Sequence, residues 1–100
     1  MNSEIISLAI HNAADELQAA GIAAIYLFGS QGRGDASEAS DIDLAFDVTE
    51  EANERFSVID QARLQLRLQD IFGRKVDFIE RRALRKHMRD IVEREMVQLL

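Results

Sequence analysis

Between Ser3 and about Ala20, apolar residues recur at Ile5, Leu8, Ala9, Ala13, Leu17 and Ala20, while Glu4, Asn12, Asp15 and Glu16 fall elsewhere. That spacing predicts one amphipathic helix, with Gly21 as its stop. Ile22 to Phe28 is continuously apolar, carries isoleucines and two aromatics, and has a glycine on each side. It predicts a strand buried on both faces. Asp41 to Val48 alternates strictly: Ile42, Leu44, Phe46 and Val48 share one face, and Asp41, Asp43, Ala45 and Asp47 share the other. This is a strand with a core side and an acidic side. Thr49 suits an N-cap, with Glu50 and Glu51 in the first turn of a helix that reaches about Phe72 and buries Ala52, Phe56, Ile59, Ala62 and Leu66. Gly73 ends that helix. Lys75 to Ile79 predicts a third short strand, with Val76 and Phe78 inward and Lys75, Asp77 and Ile79 outward. From about Arg82, Leu84, Met88, Ile91, Val92, Glu95 and Leu99 fall at helical spacing. The predicted order is α-β-β-α-β-α, with a short helical turn allowed after Ser30. The fold class is α/β (α+β-like), a small mixed β-sheet flanked by helices.

With 100 residues, 47% of them apolar and 30% charged, the chain has the size and composition of a single domain spanning residues 1–100. It has no cysteine, which excludes disulfides and thiolate metal sites. The first twenty residues interleave acids with apolar positions, so they do not form a signal peptide. No stretch is long enough to span a membrane, and the expected location is cytoplasmic. A net charge of -6 argues against non-specific nucleic-acid binding. The charge is unevenly spread: residues 1–50 hold one basic residue, Arg33, against nine acids, and residues 51–100 hold eleven basic residues against nine acids. Acid is concentrated where the glycines cluster, at Gly29, Gly32 and Gly34.

Three features converge there. A buried strand ends in Gly29-Ser30, a glycine-rich turn follows, and Asp41 and Asp43 open the next strand on one face. A strand feeding such a turn exposes backbone N–H groups to an anion, and glycine lets a phosphate approach. Asp41 and Asp43 lie roughly 7 Å apart along the strand, with both carboxylates on the same side. Hard oxygen pairs of this kind suit Mg²⁺, which takes one or two carboxylates and completes its shell with water and phosphates. Asp77 supplies a third carboxylate if its strand lies beside the second. Three crowded carboxylates make physical sense chiefly around a divalent cation, and the chemistry that uses one is phosphoryl-type transfer, with Asp77 placed to take a proton from an acceptor hydroxyl.

Gly29-Ser30, ten intervening residues, then Asp41-Ile42-Asp43 resembles the Gly-Ser-x10-Asp-x-Asp signature of the DNA polymerase beta-like nucleotidyltransferase superfamily. Four fixed residues at ordinary usage match by chance in a chain this size with a probability on the order of 10⁻³ or lower. The short chain is similar to the minimal nucleotidyltransferase (MNT) branch, whose members commonly act as the antitoxin partner of a HEPN-domain toxin. The resemblance implies a polymerase beta-like fold. Its residue roles are Gly29 and Ser30 as binders of the triphosphate, Asp41 and Asp43 as Mg²⁺ ligands, and Asp77 as the third carboxylate, which completes the metal site and assists the attacking hydroxyl. Arg33 matches an arginine that would hold the loop or a phosphate. Gln31-Gly32-Arg33-Gly34 departs from the Arg-Ala-Arg-Gly context common in the family, and one basic residue is missing.

The implied activity is Mg²⁺-dependent transfer of AMP from ATP to a hydroxyl, a tyrosine by resemblance, of a HEPN-type toxin, with no membrane and no direct nucleic-acid partner. Two alternatives are a non-catalytic antitoxin that neutralises its partner by binding, and a nucleotidyltransferase acting on a small molecule or RNA end. Other residues read more plainly. Asp35, Glu38 and Asp47 are solvated loop or edge acids, His11 and His87 are surface residues, and Tyr26 belongs to the core. Arg81, Arg82, Arg85, Lys86, Arg89 and Arg94 form either a solvated face or a partner contact. Met88, Val92, Met96, Leu99 and Leu100 are an apolar set of which some is core, and a terminal helix ending in Leu99-Leu100 suits docking on another protein. Lys75 reaches a phosphate or pairs with an acid.

Overall fold

The N-terminal amphipathic run folds as two helices rather than one, α1 (Ser3–Asn12) and α2 (Ala14–Ala19), with Ala13 leaving helical geometry between them. The computed structural model describes residues 2–29 and 41–100. Asn2 caps α1 by accepting from the Ile5 N–H at 2.9 Å. The buried stripe is Ile6, Ile10 and Leu17, and Ile5 and Leu8 face out. Apolar residues are dense enough in α1 to satisfy helical spacing on two faces, and packing against the sheet selects one of them.

Strands β1 (Ile22–Phe28), β2 (Ile42–Val48), β3 (Val76–Glu80) and β4 (Val97–Gln98) form one sheet in the order β3-β2-β1-β4. β1 runs antiparallel to β2 and β4, while β2 and β3 are parallel. Opposed pairs share a face, so the register sorts the sheet into two sides. Ile25/Phe46, Leu27/Leu44, Ile42/Val76 and Leu44/Phe78 point inward. They meet Ile6, Ile10 and Leu17 from the N-terminal helices and Leu64, Leu68 and Phe72 from the long helix. Phe28/Asp43, Asp43/Asp77, Tyr26/Ala45 and Ala45/Ile79 point to the opposite side. Ala24, Ala45 and Val92 are buried apart from the main cluster, so that second face is partly covered too.

The helix predicted from Thr49 to Phe72 is interrupted. Thr49 caps a single turn, α3 (Glu50–Asn53), and Ser57 caps α4 (Val58–Phe72). The Ser57 hydroxyl accepts from the Asp60 N–H at 3.2 Å while the Asp60 carboxylate accepts from the Ser57 N–H at 2.9 Å, a capping box that starts a new helix there. The sequence carries this signal as Ser57-x-x-Asp60. The restart changes the buried face to Leu64, Leu68 and Phe72, and Ile59 and Leu66, predicted inside, are each 65% exposed. Ser57→Ala is expected to cost about 1 kcal/mol. In a chain of this size that lowers the thermal midpoint by about 4–8 °C, measured by circular dichroism. Gly73 closes α4 in a left-handed conformation at φ 67°, its N–H on the Gln69 carbonyl at 2.8 Å.

β3 is an edge strand whose outward backbone groups are met by side chains of α4. Gln61 and Gln65 donate to the Phe78 and Val76 carbonyls at 2.8 and 2.9 Å, and Gln69 accepts from the Val76 N–H at 3.2 Å. Glutamines four apart on one helix thus cover the edge. After β3 comes a 3-10 turn (Arg81–Ala83), then α5 (Lys86–Glu95). The last helix was predicted to run on through Leu99; instead Val97 and Gln98 pair with Leu27 and Tyr26, and the Leu99 N–H bonds the Ile25 carbonyl at 2.8 Å. A two-residue strand is too short to leave a period in the sequence. Of the apolar set near the chain end, Val92 and Leu99 are the core part, Leu99 is held by β4 pairing rather than by a helix, and Met88 and Val97 are exposed.

Candidate functional site

Gly29 follows β1 with φ +71°, in the left-handed region. A side chain there would overlap Asp43 Oδ2 and sit 3.1 Å from Asp43 Cγ. Glycine is therefore needed twice, for its left-handed backbone and for the space that the Asp43 carboxylate occupies. Gly29→Ala is expected to displace that carboxylate and to slow any chemistry that depends on its position by about 10²-fold. Far-UV circular dichroism should show a chain that is still folded.

Asp43 lies opposite Phe28 on one side and opposite Asp77 on the other. The condition attached to Asp77 is met: its strand lies beside the second, and its carboxylate shares the face of Asp43. Asp41 immediately precedes β2. The Lys75 ammonium stands 3.8 Å from Asp41 Oδ2 and 4.0 Å from Asp77 Oδ1. Of the two roles read for Lys75, pairing with acid is the one seen, and it pairs with both. All three side chains are about half exposed, so these pairs contribute at most about 1 kcal/mol. Their effect is to neutralise part of a crowded negative charge.

The donors have the hard-oxygen chemistry Mg²⁺ prefers, and the register brings Asp43 and Asp77 to one place. Among the described residues no three acidic or histidine side chains are grouped closely enough to hold a metal ion. Two carboxylates suffice for Mg²⁺, because water and phosphate oxygens complete its shell, so the residues present fit that ion. Ser30 and Arg33 lie outside the described residues, as do Asp35, Glu38 and the short helical turn expected after Ser30. A cavity of about 540 Å³ lined by Ala20, Ala52, Arg55, Phe56, Arg63 and Leu64 includes none of the predicted site residues.

Asp47 departs from its reading as a solvated acid, being only 8% exposed. Arg81 donates to both its oxygens, from Nε at 2.9 Å and Nη2 at 3.0 Å, and the Tyr26 hydroxyl donates to Oδ2 at 2.9 Å. Arg81 Nη1 also donates to Glu93 Oε1 at 2.8 Å, and its guanidinium lies 5.5 Å from the centre of the Tyr26 ring. Hydrogen bonding to Asp47 raises the Arg81 pKa, and burial, aided by Asp47, raises that of Tyr26. Both therefore remain donors across the physiological range. Arg81 is thus tied into the fold rather than solvated, whereas Arg82, Arg85 and Lys86 are exposed.

The model of the nucleotidyltransferase domain matches residues 10–99. A "putative protein adenylyltransferase" of Methanocaldococcus jannaschii is 30% identical over 80 residues, covering 80% of this chain and 82% of that protein. A solved "putative minimal nucleotidyltransferase" superposes with a TM-score of 0.80 at 31% identity, over 97% of this chain and 95% of that one. A chain from the complex of tri-AMPylated Shewanella oneidensis HEPN toxin with MNT antitoxin shares the fold, with a TM-score of 0.68 at 22% identity over 93% of this chain and 70% of that one.

Proposed function

The chain belongs to the nucleotidyltransferase domain family, and on that premise we propose that it is a minimal nucleotidyltransferase, one domain over residues 1–100, that moves AMP from ATP to a hydroxyl of a HEPN-type toxin and so acts as its antitoxin. The observation that carries the reading is the opposition of Asp43 and Asp77 across parallel strands, beside a Gly29 that leaves room for the Asp43 carboxylate. The relative in Methanocaldococcus jannaschii supports a protein acceptor, since its name is that of a protein adenylyltransferase. The Shewanella complex supports the partner, because there the protein bound to an MNT antitoxin is a HEPN toxin carrying AMP.

In this reading Gly29, Ser30 and Arg33 bind the triphosphate. The opposed carboxylates of Asp43 and Asp77 would hold Mg²⁺, with Asp41 as a further carboxylate beside them, and the ion when bound supplies positive charge to the phosphates. Asp77 receives the proton of the acceptor hydroxyl as the hydroxyl oxygen bonds the α-phosphorus. The bond from that phosphorus to the bridging oxygen breaks, and pyrophosphate leaves. The tyrosine of the partner is the expected acceptor.

The reading is tested by incubating the chain and its purified HEPN partner with Mg²⁺ and ATP labelled at the α- or the γ-phosphate. Label from the α position is expected on the partner, and removing divalent cations with EDTA is expected to abolish it. Label arriving only from the γ position would make the reaction phosphorylation and refute the proposal.

A further inference from the structure

Three charged pairs on one face of the sheet share a single register. Asp47 and Arg81 are 34 residues apart, the offset that also relates Ile42 to Val76 and Asp43 to Asp77 along the β2/β3 ladder. Lys75 and Asp41 keep the same offset one step before the ladder begins. The opposed carboxylates Asp43 and Asp77 are therefore bracketed by two opposite-charge pairs.

The bracket answers a physical problem. Like charges directly opposite each other destabilise a sheet, so Asp43 and Asp77 work against the register that unites them. A slip of one residue turns every side chain of β3 to the wrong face and is excluded by Val76 and Phe78. A slip of two residues keeps both apolar residues inside and separates the carboxylates, so alternation alone does not exclude it, although it would move Phe78 off the Phe46 ring and the α4 glutamines off the β3 backbone. Charge also resists it: the slip carries Arg81 away from Asp47 and leaves a buried carboxylate without its fork, which is strongly destabilising. The pair at the solvent-facing end, Lys75 and Asp41, is too exposed to impose this alone.

We propose that the Asp47–Arg81 pair is the register lock that keeps Asp43 opposite Asp77, which makes Arg81 a positioning residue for nucleotidyl transfer although it lies at the far end of the strands from the carboxylates. Tyr26 from β1 and Glu93 from α5 complete the anchor. The proposal rests on the reading of Asp43 and Asp77 as the site, and its test separates the two.

Because the chain has no cysteine, Ala45→Cys with Ile79→Cys adds the only thiols, at an opposed pair lying between the carboxylates and the lock. Disulfide yield on oxidation with diamide reports the register while leaving Asp43 and Asp77 in place. Affinity for Mn²⁺ alone, measured by calorimetry on the chain without the thiols, reports the carboxylates. Arg81→Met is expected to lower the disulfide yield and to weaken Mn²⁺ binding by about tenfold, with kcat falling more than KM for ATP. Arg81→Lys should fall between, since an ammonium keeps the charge and loses the fork. Unchanged disulfide yield in folded Arg81→Met overturns the lock. If that variant does not fold, unchanged yield in Arg81→Lys overturns it equally. A lowered yield with unchanged Mn²⁺ affinity refutes the positioning role. If Asp43→Asn also leaves Mn²⁺ affinity unchanged, the fault lies with the reading of the carboxylates.

Discussion

Asp43→Ala is expected to leave a folded chain that transfers AMP to its partner at least about 10²–10³-fold more slowly, the scale of losing a group that positions the charge-stabilising ion. Asp43 has a central place in the site: it faces Asp77 across the ladder, follows Asp41 by two residues, and fills the space left by Gly29. Its removal also relieves the like-charge opposition with Asp77. Asp43 is only partly buried, so thermal stability should change little while activity collapses. That divergence separates a site residue from a structural one, for which both quantities fall together. Asp77→Asn should behave in the same way. Radiolabel transfer from ATP measured beside a thermal melt checks both variants.

The largest expected loss of stability follows Phe46→Ala. Phe46 is fully buried in β2, stacked on Phe78 with ring centroids 4.2 Å apart and tilted against Phe56 at 5.5 Å. It thus joins β3 and the segment after α3 to the strand that carries Asp43. Truncation removes its transfer free energy and opens a cavity, together about 3–5 kcal/mol. A domain of this size has about 5–15 kcal/mol in all, so the thermal midpoint should fall by tens of degrees or folding should fail at 37 °C. Phe46→Leu keeps much of the volume and should lose less, as chemical denaturation would show.

The parts of the molecule that were legible in the sequence are those with a strong local period. Strict alternation from Ile42 to Val48 identified β2 and its inward face, and the apolar run from Ile22 to Phe28 identified β1. Gly29 directly follows β1, and Asp41 and Asp43 lie at the start of β2, so the spacing of the signature maps onto the ends of these two strands. The interior of the helices was less legible. α1 and α4 each carry two apolar stripes, and only tertiary packing chooses Ile6 and Ile10 over Ile5 and Leu8, or Leu64 and Leu68 over Ile59 and Leu66. The break at Ser57 was written in a capping box that the longer helical period obscured. Asp47 and Arg81 were misread for a different reason. Each looks like an ordinary surface charge until the parallel pairing of β2 and β3 is known, and only then does their common offset with Asp43 and Asp77 become visible.

The intact mass of the HEPN partner, purified after co-expression with this chain, tests the central claim most directly. The account predicts a partner heavier by one or more AMP groups when the chain is unaltered, and a partner of unmodified mass when Asp41→Asn and Asp43→Asn are combined. A partner that remains unmodified beside the unaltered chain, yet is neutralised equally by the double variant, would contradict it.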